Sequence, residues 1–498
     1  MKTGTHLPRR HFLRLAGGAG ALSWVTACDR LKDLKASLPL GPGADTLAPF
    51  KTPSGSGPDL ISHTLNRLTW GAAPGEYARV SALGSTPEDC LERFLEEQLH
   101  PEKIEDPVTR AALARLEAVR EPVTELFEYK PSQLDSELTR AAVIRASHSR
   151  RQLYEVMVAF WSDHFNIDSS KLDCRWFKTV DDRDIIRKHA LGNFRSLLRA
   201  SALSPAMLFY LDGRENKHRT AGDKPNENYA RELLELHTLG IHGGYTQGDV
   251  MEAARCLTGW TVTGREVKLG IGRVFFEAAA HDDGAKSVLG QELSAGGGPE
   301  DLDRLLAVIT AHSSTAAFIA RKLCRHFIAD EPPDPAVEKV AAAFHNSAGD
   351  IPETLRALFR TEEFRTLRGD KIKKPFHFIV SALRATGSAT SCGTGVRRAL
   401  QIMGHAPFHY PTPEGPPPSG ADWLATLLCR WDFASQLAGG SLKCTRTDTA
   451  KLTACAGGRD GLLRHLFGRD PDTAECAAAG SVNSPLALAL ASPAFQTF

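Results

Sequence analysis

The chain has 498 residues, enough for a large core and, on length alone, for more than one domain. Its 60 Lys and Arg residues balance 59 Asp and Glu residues, so the charge gives no reason to expect a nucleic acid or an anionic surface as partner. No apolar run reaches the about 20 residues that a spanning helix needs, so the body is expected to be soluble.

In chain order, the first signal is Arg9-Arg10, followed by Phe12-Leu13, a basic Arg14 and a short, weakly apolar stretch over residues 15–25. This is the layout of a twin-arginine export signal. Val25-Thr26-Ala27-Cys28 closes it in the manner of a lipobox, which would make Cys28 the lipidated first residue of the mature protein and tether it to a membrane. The alternative is ordinary signal cleavage with Cys28 incidental. The twin-arginine route carries chains that are already folded, often with a cofactor inserted. Residues 29–59, rich in Pro, Gly and Ser, are expected to form a flexible tether.

Helix signals then follow one another with almost no strand signal between them. Thr86-Pro87-Glu88-Asp89 has the cap, first-turn proline and acidic first turn of a helix start, and Thr246 with Asp249 opens another. Helical periodicity also runs through 132–167, 185–203, 226–239, 301–310, 315–328, 335–344, 351–359 and 372–383. The fold is expected to be mainly α: a large multi-helix domain over residues 60–405 with one long irregular excursion, then a Pro-rich break and a smaller helical C-terminal part over 406–498. The excursion spans 261–298, where Gly264, Gly270, Gly272, Gly284, Gly290 and three successive glycines interrupt the pattern, with room for a hairpin around residues 267–276. The break, residues 407–420, carries six prolines and must be extended or turned. Cys90, Cys256 and Cys324 lie in helix-like runs and read as core residues. Among the later cysteines, Cys444 with Cys455 is the expected bridge.

Four segments concentrate polar groups. In Phe160-Trp161-Ser162-Asp163-His164-Phe165-Asn166, Asp163 and His164 fall three and four residues after Phe160 and project toward the buried side of a helix, where ionisable groups are costly unless paired. The competing reading is a helix end capped by backbone. In the run from Asn226 to Gly240, Glu227, Arg231 and Glu235 step by four and form a ladder, with Glu232 on the adjoining edge and His237 beside Leu233 and Leu234. A solvated salt-bridged face and a core histidine are the plainer readings there. Gly243 to Asp249 forms a tight turn into a capped helix, and His281-Asp282 sits in the excursion as a metal-ligand or acid-base pair, or else as an Asx turn.

These segments together, with Leu65-Asn66-Arg67-Leu68-Thr69-Trp70-Gly71, Gly192-Asn193-Phe194, Thr258-Gly259-Trp260 and Ser492-Pro493-Ala494-Phe495-Gln496, resemble the bacterial family catalogued as domain of unknown function 1800. The resemblance covers nearly the whole chain in order. It implies an exported, mainly helical protein and carries no established activity. A fainter resemblance links Asp163-His164, Asn226-Glu227 and Leu236-His237-Thr238-Leu239 to animal-type haem peroxidases. It implies His164 as distal base, Arg231 as polarising cation and His281 as iron ligand. The spacings are much shorter than in those enzymes, and the motif around their second site is missing.

Three functions are therefore carried forward. The first is an acid-base or divalent-metal-assisted envelope enzyme using Asp163, His164, Arg231, Glu232, Glu235 and His237, with His281 and Asp282 as the metal ligands. The second is a scaffold or binding protein with a protein or polymer partner, its polar segments forming buried networks. The third is a haem peroxidase-like oxidoreductase.

Overall fold

A computed structural model describes residues 47–220, 222–264 and 270–498. Arg9, Arg10 and Cys28, with the export and lipidation expected from them, lie outside the described residues. The described chain is mainly helical, with only three two-stranded sheets. Among the described residues no helix is long and apolar enough to cross a membrane.

Residues 47–59 carry no helix or strand, yet they are partly pinned: Phe50 donates its N–H to the Cys455 carbonyl at 3.0 Å, and Gly55 donates to Asp470 Oδ2 at 2.7 Å. Helix α1, Leu60–Leu68, starts at Asp59, whose carboxylate accepts from the Ser62 N–H; α2, Pro87–Gln98, starts at Thr86 as its sequence predicts. The periodic stretch 132–167 divides into α3, Pro131–His148, and α4, Gln152–His164. Between them the Ser149 hydroxyl and Gln152 amide bond to turn groups and break the helix. Next comes α5, Cys174–Val180, which runs into a π-helical turn, Asp181–Ile186. Helix α6, Phe194–Ala202, is capped by Asn193.

The Asn226–Gly240 run is not one regular helix. It forms a short α7, Asn228–Glu232, and a second π-turn, Leu233–Thr238, ended by Gly240 at φ +82°. Helix α8, Gln247–Cys256, opens with the full Thr246/Asp249 capping box. The glycine-rich excursion holds two hairpins: β1, Trp260–Val262, with β2, Val274–Phe276, and β3, Lys286–Val288, with β4, Gln291–Leu293.

Helices α9, Glu300–Ala311, α10, Ser313–Phe327, α11, Asp334–Asn346, and α12, Ile351–Phe359, follow as consecutive packed neighbours. Helix α13, Pro375–Ala385, crosses the core against α3, and β5, Ala389–Thr390, pairs with β6, Thr445–Arg446. Helix α14, Leu427–Ala438, packs on α13 and on α15, Pro485–Ala491.

The Pro-rich loop is bonded into the helical body. Asn166 donates to the carbonyls of Tyr410 and Thr412 at 2.9 and 2.6 Å, and Tyr210 donates to that of Pro411 at 3.1 Å. The C-terminal part is joined as closely: Lys373 donates its N–H to the Gln496 carbonyl at 2.8 Å, and the buried Arg430 donates to the Lys373 carbonyl at 2.8 Å. One continuous apolar cluster runs from Leu60 to Phe495 and includes Cys90, Cys256 and Cys324. Cys444 and Cys455 are free thiols, so the expected bridge is not formed.

Candidate functional site

The C-terminal half of α4 carries Phe160, Ser162 and Asp163 to the wall of a cavity of about 110 Å³. Four distant stretches join it: Arg67, Thr69 and Trp70 in the last turn of α1 and just after it; His326 near the end of α10; Lys371 and Lys374 before α13 with Phe376 and His377 in its first turn; and His405, Pro407 and Phe408 leading into the Pro-rich loop. Asp182 from the first π-turn lines it too, with the Glu155–Arg187 pair, bonded at 2.6 Å. A π-turn inserts one residue into the helical ladder and re-aims the side chains around it, which is why such turns recur at functional sites.

Asp163 sits where the helix ends. Gly415, at φ +80°, lies so close that a Cβ there would come within 2.4 Å of the Asp163 carbonyl, so only glycine lets the loop seal this end of α4. Burial raises the Asp163 carboxyl to about 6, against lowering by Lys374, Lys322 and Lys178, which act through space rather than by hydrogen bonds. Lys322 is itself brought down to about 8 by burial, and Lys374 is lowered by the same cause. A carboxyl tuned to about 6 in an aromatic-walled cavity can take or give a proton near neutral pH.

The rest of the wall mixes cations, neutral imidazoles and the carboxylates of Glu155 and Asp182. Burial lowers Arg67 to about 9, still charged at neutral pH, and holds His326 and His377 well below the ordinary histidine value. His405, which burial takes to about 3, accepts the Phe376 N–H on Nδ1 at 3.2 Å and stacks on Trp423. Lys371 is already engaged: it bonds the Asp330 carboxylate and donates to the Arg325 carbonyl at 2.9 Å.

The structure disperses the other residues expected from sequence. His164 points away from the cavity into an aromatic core, where its Nε2 lies 3.1 Å from the His237 carbonyl and the two rings stand 6.0 Å apart. Burial holds both well below the usual histidine range, His237 at about 3, so both are neutral. Arg231 lies at the surface, bonded to Glu227 at 3.1 Å, Glu235 at 3.4 Å and Gln247 at 2.7 Å, which is the plainer reading of the ladder. Glu232 is half-buried and raised by burial and then by Glu235.

His281 and Asp282 belong to a separate network. The Arg255 guanidinium grips Asp282 at 2.6 and 3.0 Å and holds its carboxyl down to about 2. His281 spans the Thr258 carbonyl at 2.9 Å and Asp301 at 3.3 Å, and Asp301 is also paired with Lys286 at 2.6 Å. Both ring nitrogens of the imidazole are thus occupied by protein groups, and among the described residues no three His, Cys, Asp or Glu side chains are grouped to hold a metal ion.

Of the residues singled out as catalytic or metal-binding from sequence, Asp163 is the one that reaches the cavity. Arg67, Lys374, His326, His377 and His405 were missed because they come from segments far apart in the chain. Two local signals could have found part of the set: Arg67 lies inside the Leu65–Gly71 motif, and Lys371-Ile372-Lys373-Lys374 puts three cations before a helix of apolar residues.

A family model described as a protein of unknown function, DUF1800, matches residues 63–497. No curated protein and no solved structure matches the chain.

Proposed function

We propose, for a chain that belongs to the DUF1800 family, that the cavity is an acid–base active site in which Asp163 moves the proton. The observation that carries this is a carboxyl on the cavity wall whose neighbouring lysines act on it only through space, raised to about 6. Above that value the carboxylate accepts a proton from a carbon acid or from water attacking an electrophile, and the resulting acid returns it to the product or leaving group. Lys374 and Lys322 stabilise the carboxylate between these steps. The sequence adds the setting: export through the twin-arginine signal at Arg9-Arg10 and a lipid on Cys28, which would place the reaction at the cell envelope.

The test is conversion of a panel of small organic acids, esters and amides, followed by mass spectrometry, with deuterium uptake from heavy water as a second readout. Conversion is expected to rise through about pH 6, and Asp163→Asn to lower it about 10²–10⁴-fold while the protein stays folded. Conversion by Asp163→Asn at the wild-type rate would sink the assignment.

A further inference from the structure

The cavity wall holds buried nitrogen donors that no protein group satisfies. All three guanidinium nitrogens of Arg67 are buried without a partner, although the residue is only 3% exposed; Trp70 Nε1, His377 Nε2 and Ser162 Oγ share that state. All four residues line the one cavity. Leaving a buried donor unmade costs about 1–3 kcal/mol, and more for a charged group, so such a concentration of orphans marks the place of a missing acceptor.

The rings fix which edge of Arg67 is free. Phe498 covers the guanidinium face, 4.4 Å from its centroid, and the His377 ring lies 4.3 Å from Phe498 and 5.3 Å from Trp70. With its face stacked, the guanidinium offers its planar edge, the geometry of a bidentate carboxylate. The charges set the valence. Lys371 is neutralised by Asp330, Lys374 faces Asp163, and the other wall carboxylates are paired, Glu155 with Arg187 and Asp182 with Arg145, whereas Asp330 and Asp370 touch Arg67 only through space. One uncompensated cation suits a monoanion better than a dianionic phosphate.

The wall also carries apolar groups, among them Val156, Ala159, Phe160, Phe376 and Phe408, against which a tail can pack. A volume of about 110 Å³ is somewhat below that of a cavity known to admit benzene, so the occupant has about six heavy atoms.

We propose that Arg67, with Trp70 and His377, forms a carboxylate-anchoring subsite, and that the molecule taken into the cavity is a small monocarboxylate with an apolar tail. This rests on the acid–base reading only in calling that molecule the substrate. Asp163 then lines the same cavity as the anchored anion.

Titration calorimetry with isobutyrate, its neutral isostere isobutyramide and inorganic phosphate tests this on the whole protein. Isobutyrate is expected to bind with a Kd of about 1 mM or below, and isobutyramide and phosphate about tenfold more weakly or worse. Arg67→Met is expected to weaken isobutyrate about tenfold, and Trp70→Phe, which removes one donor and keeps the ring, by about threefold. Isobutyramide or phosphate binding as tightly as isobutyrate, no isobutyrate binding, or an unchanged affinity in a folded Arg67→Met would overturn the subsite. If Arg67→Met does not fold, Trp70→Phe and the amide comparison decide in the same terms. Asp163→Asn is expected to keep or tighten isobutyrate binding. Unimpaired conversion by that variant, with the anion preference intact, would refute the acid–base reading and leave the subsite standing.

Discussion

At the residue scale, burial makes the ionised Asp163 carboxyl a cost to stability. Its raised value means that ionising it in the folded state is uphill: the unfolded chain releases the proton near 3.8, the folded one near about 6. The penalty therefore grows as pH rises through that window and is complete above it. Asp163→Asn is expected to raise urea stability by at most about 3 kcal/mol near pH 7.5 and by about half that near pH 5. A variant less stable than wild type at both values would show that Asp163 has a structural partner. The site was only partly legible at this scale. Asp163 could be found because its three-residue step from Phe160 placed an acid on an apolar face. The Leu65–Gly71 motif marks Arg67 only as part of a block; what distinguishes it, three guanidinium nitrogens without a hydrogen-bond partner, no local spacing encodes. His281 and Asp282 looked like ligands from their adjacency, and only the position of Arg255, Asp301 and Lys286 in space shows how they are bound.

At the element scale, helix starts were the most readable features, because a cap is a local bargain between one side chain and the next three amides. Thr86 and Thr246 both cap as expected. The π-turns were not readable: an inserted residue depends on what the helix packs against, and the Asn226–Gly240 pattern fits an uninterrupted α-helix equally well up to Glu235. The end of that run is nevertheless specific. Gly240 lies at φ +82°, and a Cβ there would meet Phe318 Cδ2 at 2.7 Å. Gly240→Ala is expected to destabilise the protein by more than about 1 kcal/mol, whereas Thr246→Ala, which removes only a cap, should cost about 1 kcal/mol. Denaturant midpoints for the two compare them directly, and a smaller loss for Gly240→Ala would contradict the packing described at the π-turn.

At the scale of the whole molecule, chain segments hundreds of residues apart converge on one cavity, and the Pro-rich loop that looks like a boundary in sequence is part of its wall. Extended proline-rich backbone reads as a linker until its carbonyls are seen accepting from Asn166 and Tyr210. The convergence also buries neutral imidazoles at His63, His164, His237, His326, His377 and His405, all lowered mainly by burial. Unfolding lets each bind a proton below about 6.5, so stability is full above that value and falls as pH drops toward about 3, where His237 and His405 titrate. His237 and His405 each contribute up to roughly 2 kcal/mol of loss at pH 5, the other rings act in the same direction, and Asp163 opposes them. The urea midpoint is expected to be clearly lower at pH 5 than at pH 7.5, and an equal or higher midpoint would show that these rings are solvated. The measurement that bears most directly on the acid–base assignment is the titration of Asp163 itself, by carboxyl carbon NMR on aspartate-labelled protein with Asp163→Asn to identify the signal. A midpoint near about 6 is expected, and a midpoint in the ordinary aspartate range near about 4 would contradict it.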